Sequence, residues 1–120
     1  MSVHAGEWAE HLDAVVAAGK HHRVLLENAS VRILETKIEP GETVPLHTHR
    51  WPAAHYFLAT GDIVRRDGAG AVTFDSREHI AGGGGRAGEA VWSPALGPHT
   101  LENVGTTRIH VISVEVKAEG

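Results

Sequence analysis

From residue 22 onward the chain breaks into short runs rich in β-branched and apolar residues, each about a strand long and each ended by turn-forming residues. The runs are 23–27, 30–39, 43–47, 54–60, 63–67, 71–75, 89–93, 101–104 and 108–117. Many short strands can bury their apolar faces only by stacking or closing on one another, so the expected fold class is an all-β sandwich or barrel. Asn28-Ala29, Pro40-Gly41, Gly61-Asp62, Asp67-Gly68 and Val104-Gly105 punctuate the runs, and Asp67-Gly68-Ala69-Gly70 is the strongest hairpin signal. Upstream the period changes. Trp8, Leu12, Val15 and Val16 fall on one helical face ahead of Gly19, which predicts a short N-terminal helix over 6–18 that covers a sheet or a neighbouring subunit. The chain thus divides into an N-terminal helical segment, 1–22, and a β domain, 23–118, and at 120 residues one core suffices.

Residues 81–88 hold five glycines and read as a mobile loop, a flap over a cavity. A phosphate cradle is disfavoured there, because no strand-loop-helix context and no Gly-Lys-Ser/Thr follows. The formal charge of −4 and an aromatic content of 5% supply neither a basic footprint nor stacking platforms, so nucleic acid is not an expected partner. No stretch is apolar for long enough to span a bilayer, and the start Met1-Ser2-Val3-His4, with Glu7 and Glu10 after it, does not read as a signal peptide. The expectation is a cytoplasmic protein with no membrane partner. Cysteine is absent, which excludes disulfides, thiolate nucleophiles and cysteine-ligated metal clusters.

Ten histidines in a chain of this length make metal ligation or proton transfer the chemistry to look for. His47-Thr48-His49 places two imidazoles two residues apart, and alternation on a strand turns both to the same face. Around them stands Gly41, five residues, His47-Thr48-His49, and then Gly61. Further on stand Gly88, five residues, Pro94, Gly97, His99 and Asn103. In these two gapped motifs, over about 31–116, the chain resembles the cupin superfamily, with the internal glycine of the second motif shifted by one to Gly97. The resemblance implies a jelly-roll β-barrel and one divalent transition metal, iron, zinc, manganese, nickel or copper, held by His47, His49 and His99. The glutamate of the first motif, counted back from Gly61, falls on Ala54, so the usual carboxylate ligand is missing. Three neutral imidazoles leave the ion its whole charge, which favours an anionic, chelating ligand.

The remaining candidates sort by strand parity. Ala54 and Tyr56 share a face, so Tyr56 is expected to line the cavity, while His55 points away from it unless a bulge near Trp51-Pro52 turns it inward as a fourth ligand. Trp51, Phe57 and Trp92 read as core packing. Arg65-Arg66 and Arg86 read as a solvated hairpin and loop, with carboxylate recognition as the alternative. His21, His22, His79 and His110 read as surface or hydrogen-bonded core. Glu102 lies on the opposite face from Asn103, and Ser93 lacks the context of a serine nucleophile. The functional expectation is a metal-dependent oxygenase or isomerase, dioxygenase-like in type, acting on a small, possibly anionic, carbonyl or hydroxyacid substrate. The alternative is a non-catalytic binding or sensing module that uses the same metal pocket. Resemblance among small cupins, together with apolar residues on both parities of 108–117, leads to the expectation of a homodimer.

Overall fold

A computed structural model describes residues 8–78 and 86–117. A 3₁₀ turn (Glu10–Leu12) and a one-turn helix α1 (Ala14–Ala17) lead into β1 (His22–Glu27), β2 (Val31–Ile38), β3 (Thr43–His49), β4 (Ala53–Ala59), β5 (Ile63–Asp67) and β6 (Val72–Asp75). After a second 3₁₀ turn (Ser76–Glu78) come β7 (Ala90–Ser93), β8 (Leu96–Asn103) and β9 (Ile109–Val116). Two antiparallel sheets result, ordered β1-β2-β9-β4-β7 and β3-β8-β5-β6. Among the described residues no helix is long and apolar enough to cross a membrane.

Each expected run is a strand, and two boundaries move by more than one residue. β3 continues to His49, and β8 starts at Leu96 rather than at residue 101. Pro98, which reads as a break, sits where the β3–β8 register slips: His47 pairs with His99, but His49 pairs with Leu96. A proline can stay in a strand at such an irregularity because no ladder hydrogen bond is required of it there.

The short N-terminal helix is present, but over 8–18 it is split into the 3₁₀ turn and the one-turn α1. Asp13, with φ −54° and ψ 138°, separates the 3₁₀ turn from α1 and bridges to Thr48 instead of continuing the helix. Its carboxylate takes the Arg32 guanidinium in a two-pronged pair, at 2.8 and 3.0 Å, and Arg32 Nε donates to Glu115 at 2.6 Å. All three groups are buried, so helical periodicity yields to the need to pair a buried guanidinium. Burial works to raise the pKa of Asp13, but the hydrogen bond and charge of Arg32 prevail and hold it below the ordinary carboxylate value. Residues 6 and 7 of the predicted helix lie outside the described residues, as do residues 81–85 of the glycine-rich run.

Between the sheets Ile38, Val44, Ile109 and Val111 pack with Ala18, and Phe57, Ile63 and Leu101 close around them. β9 alternates strictly: Ile109, Val111, Ser113 and Glu115 face in, while His110, Ile112, Val114 and Val116 face out. The outward face is apolar across neighbouring strands too, because Ile33 pairs with Val114, and Ala54 pairs with both Val114 and Trp92.

Asn103, the last residue of the second motif, is a fully buried fastening. Its Nδ2 donates to the carbonyls of Ile38 and Thr107, its Oδ1 accepts from Gly105 N–H, and its backbone bonds to Gly41 and Glu42. Gly41, at φ +84°, takes the left-handed conformation the turn before β3 requires, and a side chain on Gly61 would come within 3.0 Å of the Thr107 carbonyl. These motif residues therefore hold the strand ends that carry the histidines. Asn103→Ala, which strands one buried and two part-buried polar groups, is expected to destabilise the protein by about 3 kcal/mol in urea unfolding. A loss under ~0.5 kcal/mol would remove this role.

Candidate metal centre

The β3–β8 pairing brings the two motifs together. His47 and His99 stand opposite each other across the ladder, and their rings lie 4.3 Å apart, centroid to centroid. His49 follows on the same inner face, 4.9 Å from His47 and 5.5 Å from His99. A fourth imidazole arrives from the other sheet. His22, at the start of β1, lies 5.1 Å from His47 and 5.5 Å from His49. One ring nitrogen from each of His22, His47 and His49 falls within 4.8 Å of the others, so three histidines could hold a metal ion.

Backbone carbonyls orient these rings. His47 Nδ1 lies 2.7 Å from Pro45 O, His99 Nδ1 lies 2.7 Å from Gly97 O, and His22 Nδ1 lies 3.0 Å from Ala18 O. A carbonyl oxygen can only accept, so each Nδ1 carries the proton and each neutral ring keeps its lone pair on Nε2. The pKa values agree: His22, His49 and His99 are each pushed down to about 3, first by burial and then by the neighbouring imidazoles. His47 and His55 are lowered as well, in both cases chiefly by burial. Neutral imidazoles are the form a metal ion requires.

His49 is oriented differently. Its Nδ1 lies 3.6 Å from Glu115 Oε2, a buried carboxylate oxygen without a hydrogen-bond partner. Burial raises the pKa of Glu115 while Arg32 opposes the rise. An unsatisfied carboxylate oxygen behind an imidazole suits a ligating histidine, whose second nitrogen usually donates to such a group. The donor set and this oxygen together fit a transition-metal ion.

The imidazoles open on a cavity of ≈ 260 Å³, walled by apolar side chains such as Ile38, Val44, Phe57, Ile63 and Leu101, with Thr36, His55, Arg65, Ser93 and Ser113 as further polar groups. At ~30 Å³ per water this is room for about nine waters, which suits a small ligand.

Two expectations about this cavity reverse. Tyr56 is 45% exposed on the outer face, and His55 lines the cavity. The parity reading took its phase from Ala54, but β9 imposes the other phase: Ala53, His55 and Phe57 pair with Glu115, Ser113 and Val111, all inward. No bulge is involved between 53 and 57. Both ring nitrogens of His55 are held at 2.7 Å by hydroxyls, one by Ser113 and the other by Ser93.

The other candidates fall into place around the site. Phe57 and Arg65 line the cavity, while Arg66 points outward and pairs with Glu102 at 3.0 Å. Trp92 is 59% exposed, and Trp51 lies under the cations of Arg32, Arg50 and Lys117. His21 Nδ1 donates to Lys37 O, His110 bonds Glu35, Arg86 is exposed, and His79 lies outside the described residues. Sequence reasoning leaves out both His22 and Glu115. His22 belongs to neither motif and reaches the site only because β1 pairs with β2, setting His22 opposite Thr36. Glu115 carried a weak signal, a single acidic residue among apolar neighbours in β9.

No family model matches the chain, and no curated protein matches it in sequence. Solved structures do match in fold. A cupin domain from Bordetella pertussis Tohama I superposes with a TM-score of 0.63 at 22% identity, covering 81% of this chain and 92% of the other. An RmlC-like cupin with a double-stranded β-helix fold from Methanocaldococcus jannaschii gives 0.57 at 14%, covering 80% and 78%. A predicted oxalate decarboxylase from Thermotoga maritima gives 0.50 at 23%, covering 81% and 79%. The fold is that of the cupins, the double-stranded β-helix or jelly roll.

The neutral histidine cluster has a consequence for stability. In an unfolded chain these rings titrate near 6.5, so between about 6.5 and 3 the unfolded state binds protons that the folded state does not. Stability is therefore complete above the unfolded value and falls as the pH drops toward 3. Urea unfolding of metal-free protein at pH 7.5 and pH 5.0 should show a loss steepening to at least ~1.4 kcal/mol per pH unit, one net proton. Equal stability at the two pH values would contradict a buried neutral cluster.

Proposed function

We propose that this protein is a metal-dependent cupin enzyme, an oxygenase or isomerase, acting on a small anionic carbonyl or hydroxyacid compound. The observation that carries the reading is the orientation of the imidazoles, with Nδ1 of His22, His47 and His99 tied to carbonyls, which leaves Nε2 free on rings that line one cavity. His47, His49 and His99 are the proposed ligands, with His22 completing the set from the opposite sheet. When bound, an ion on neutral imidazoles supplies a Lewis acid of undiminished charge with coordination positions open to substrate. The apolar wall excludes water and strengthens that attraction. His55, fixed by Ser93 and Ser113, presents a polar ring to the cavity and orients bound substrate rather than holding metal. The Thermotoga neighbour, a predicted oxalate decarboxylase, is consistent with a small acid as ligand.

The test is metal content after expression in cultures supplemented with iron, zinc, manganese, nickel or copper. Wild type should carry about one equivalent of one of these metals. His22→Ala, His47→Ala, His49→Ala and His99→Ala should each lose most of it, and His55→Ala none. Failure of every sample to carry stoichiometric metal, or loss in His55→Ala equal to that in His49→Ala, overturns the ligand set. Oxygen uptake or isomerised product from the loaded protein on a panel of diketones and 2-oxo acids supports an enzyme. Ligand-induced thermal shifts without turnover would favour a binding or sensing module instead.

We also propose a homodimer formed through the outer face of the five-stranded sheet. Tyr56, Leu58, Trp92 and Val116 are exposed there beside Ile33, Ile112 and Val114, a contiguous apolar surface of the kind that marks an interface. Light scattering at micromolar concentration should give about twice the chain mass of 12.8 kDa. Trp92→Glu should return it to the monomer, and a monomeric wild type removes the proposal.

A further inference from the structure

Among the described residues Arg65 is the one cation in the cavity wall. It stands on β5 opposite Leu101 of β8 and Phe74 of β6, with its guanidinium 5.5 Å from the Phe74 ring centre, and it lines the cavity together with His22, His47, His49 and His99. Arg65 and these imidazoles therefore share one cavity.

The other arginines set a contrast. Arg23, Arg32, Arg50, Arg66, Arg77 and Arg108 each have a carboxylate within 4.0 Å, and Arg86 is exposed. Arg65 is partly buried, yet among the described residues it has no ion pair and no side-chain hydrogen bond. Burial alone acts on it, in the direction of a lower pKa, with no carboxylate to offset the cost. A guanidinium withdrawn from water without an anion is unfavourable, and a chain that holds one beside neutral imidazoles has left its counter-charge to arrive from outside.

We propose that Arg65 is the anchor for a carboxylate on the substrate, and that the substrate class is therefore small carboxylic acids with a second oxygen donor on the neighbouring carbon, 2-oxo or 2-hydroxy acids. The planar guanidinium offers two parallel N–H donors that match a carboxylate. The second oxygen is then left to face the imidazole cluster. This inference rests on the proposed function for the role of that second oxygen, but the carboxylate contact stands on Arg65 alone.

Calorimetric binding of pyruvate, methyl pyruvate and inorganic phosphate, to metal-free and to metal-loaded protein, tests it. Pyruvate should bind wild type at least tenfold more tightly than methyl pyruvate, and more tightly than phosphate, in both forms. Arg65→Gln should abolish that preference, Arg65→Lys should restore part of it, and Arg66→Gln, on the outer face, should leave it intact. Equal binding of pyruvate and methyl pyruvate by wild type overturns the proposal without recourse to any variant. So does unchanged pyruvate affinity in a folded Arg65→Gln, or tighter binding of phosphate. If no metal binds but the Arg65-dependent preference persists, the metal reading fails and the anchor stands. If metal binds and the preference is absent, the anchor fails and the metal reading stands.

Discussion

The register between β3 and β8 is the constraint on which the site depends. His47 lies opposite His99 because the ladder slips once between Val44 and His47 and again between His47 and His49. A slip of one residue on a strand turns a side chain to the other face, so a regular ladder could not place Val44, His47 and His49 all inside. The strand ends are pinned by Asn103, whose side chain and backbone fasten the turn at Gly41 to the turn at Gly105. The resembling motifs thus carry two kinds of residue. The histidines line the cavity, and the glycines and the asparagine hold the register that aligns them.

Behind the cluster the electrostatics are arranged in layers. The imidazoles are kept neutral by burial, while the charge is concentrated one step back, in Arg32 between Asp13 and Glu115. This network reaches His49 through a carboxylate oxygen with no hydrogen-bond partner of its own. It also explains the broken N-terminal helix. Breaking a buried pair by removing one partner costs about 3–5 kcal/mol, more than the few tenths per residue that helix propensity offers. Arg65, on the same sheet as His47, His49 and His99, has no counter-ion among the described residues, so the cavity holds one uncompensated cation. A small anion is the ligand we propose for such an arrangement.

Much of this was legible in the linear chain. Turn residues and short β-branched runs specify the strands, because each run can satisfy its period only as a strand, and two gapped motifs name His47, His49 and His99. The phase of β4 was not legible. Alternation says that Ala54 and Tyr56 share a face but not which face, and only pairing with β9 turns His55 inward and Tyr56 out. His22 was equally hidden, since nothing local distinguishes it from His21, whose ring turns to the Lys37 carbonyl instead. The sequence by itself determined the strand content and which residues could ligate or titrate, since those are properties of residue type and spacing. Only the tertiary structure decided which of them share one cavity, because cross-strand register and burial depend on segments far apart in the chain.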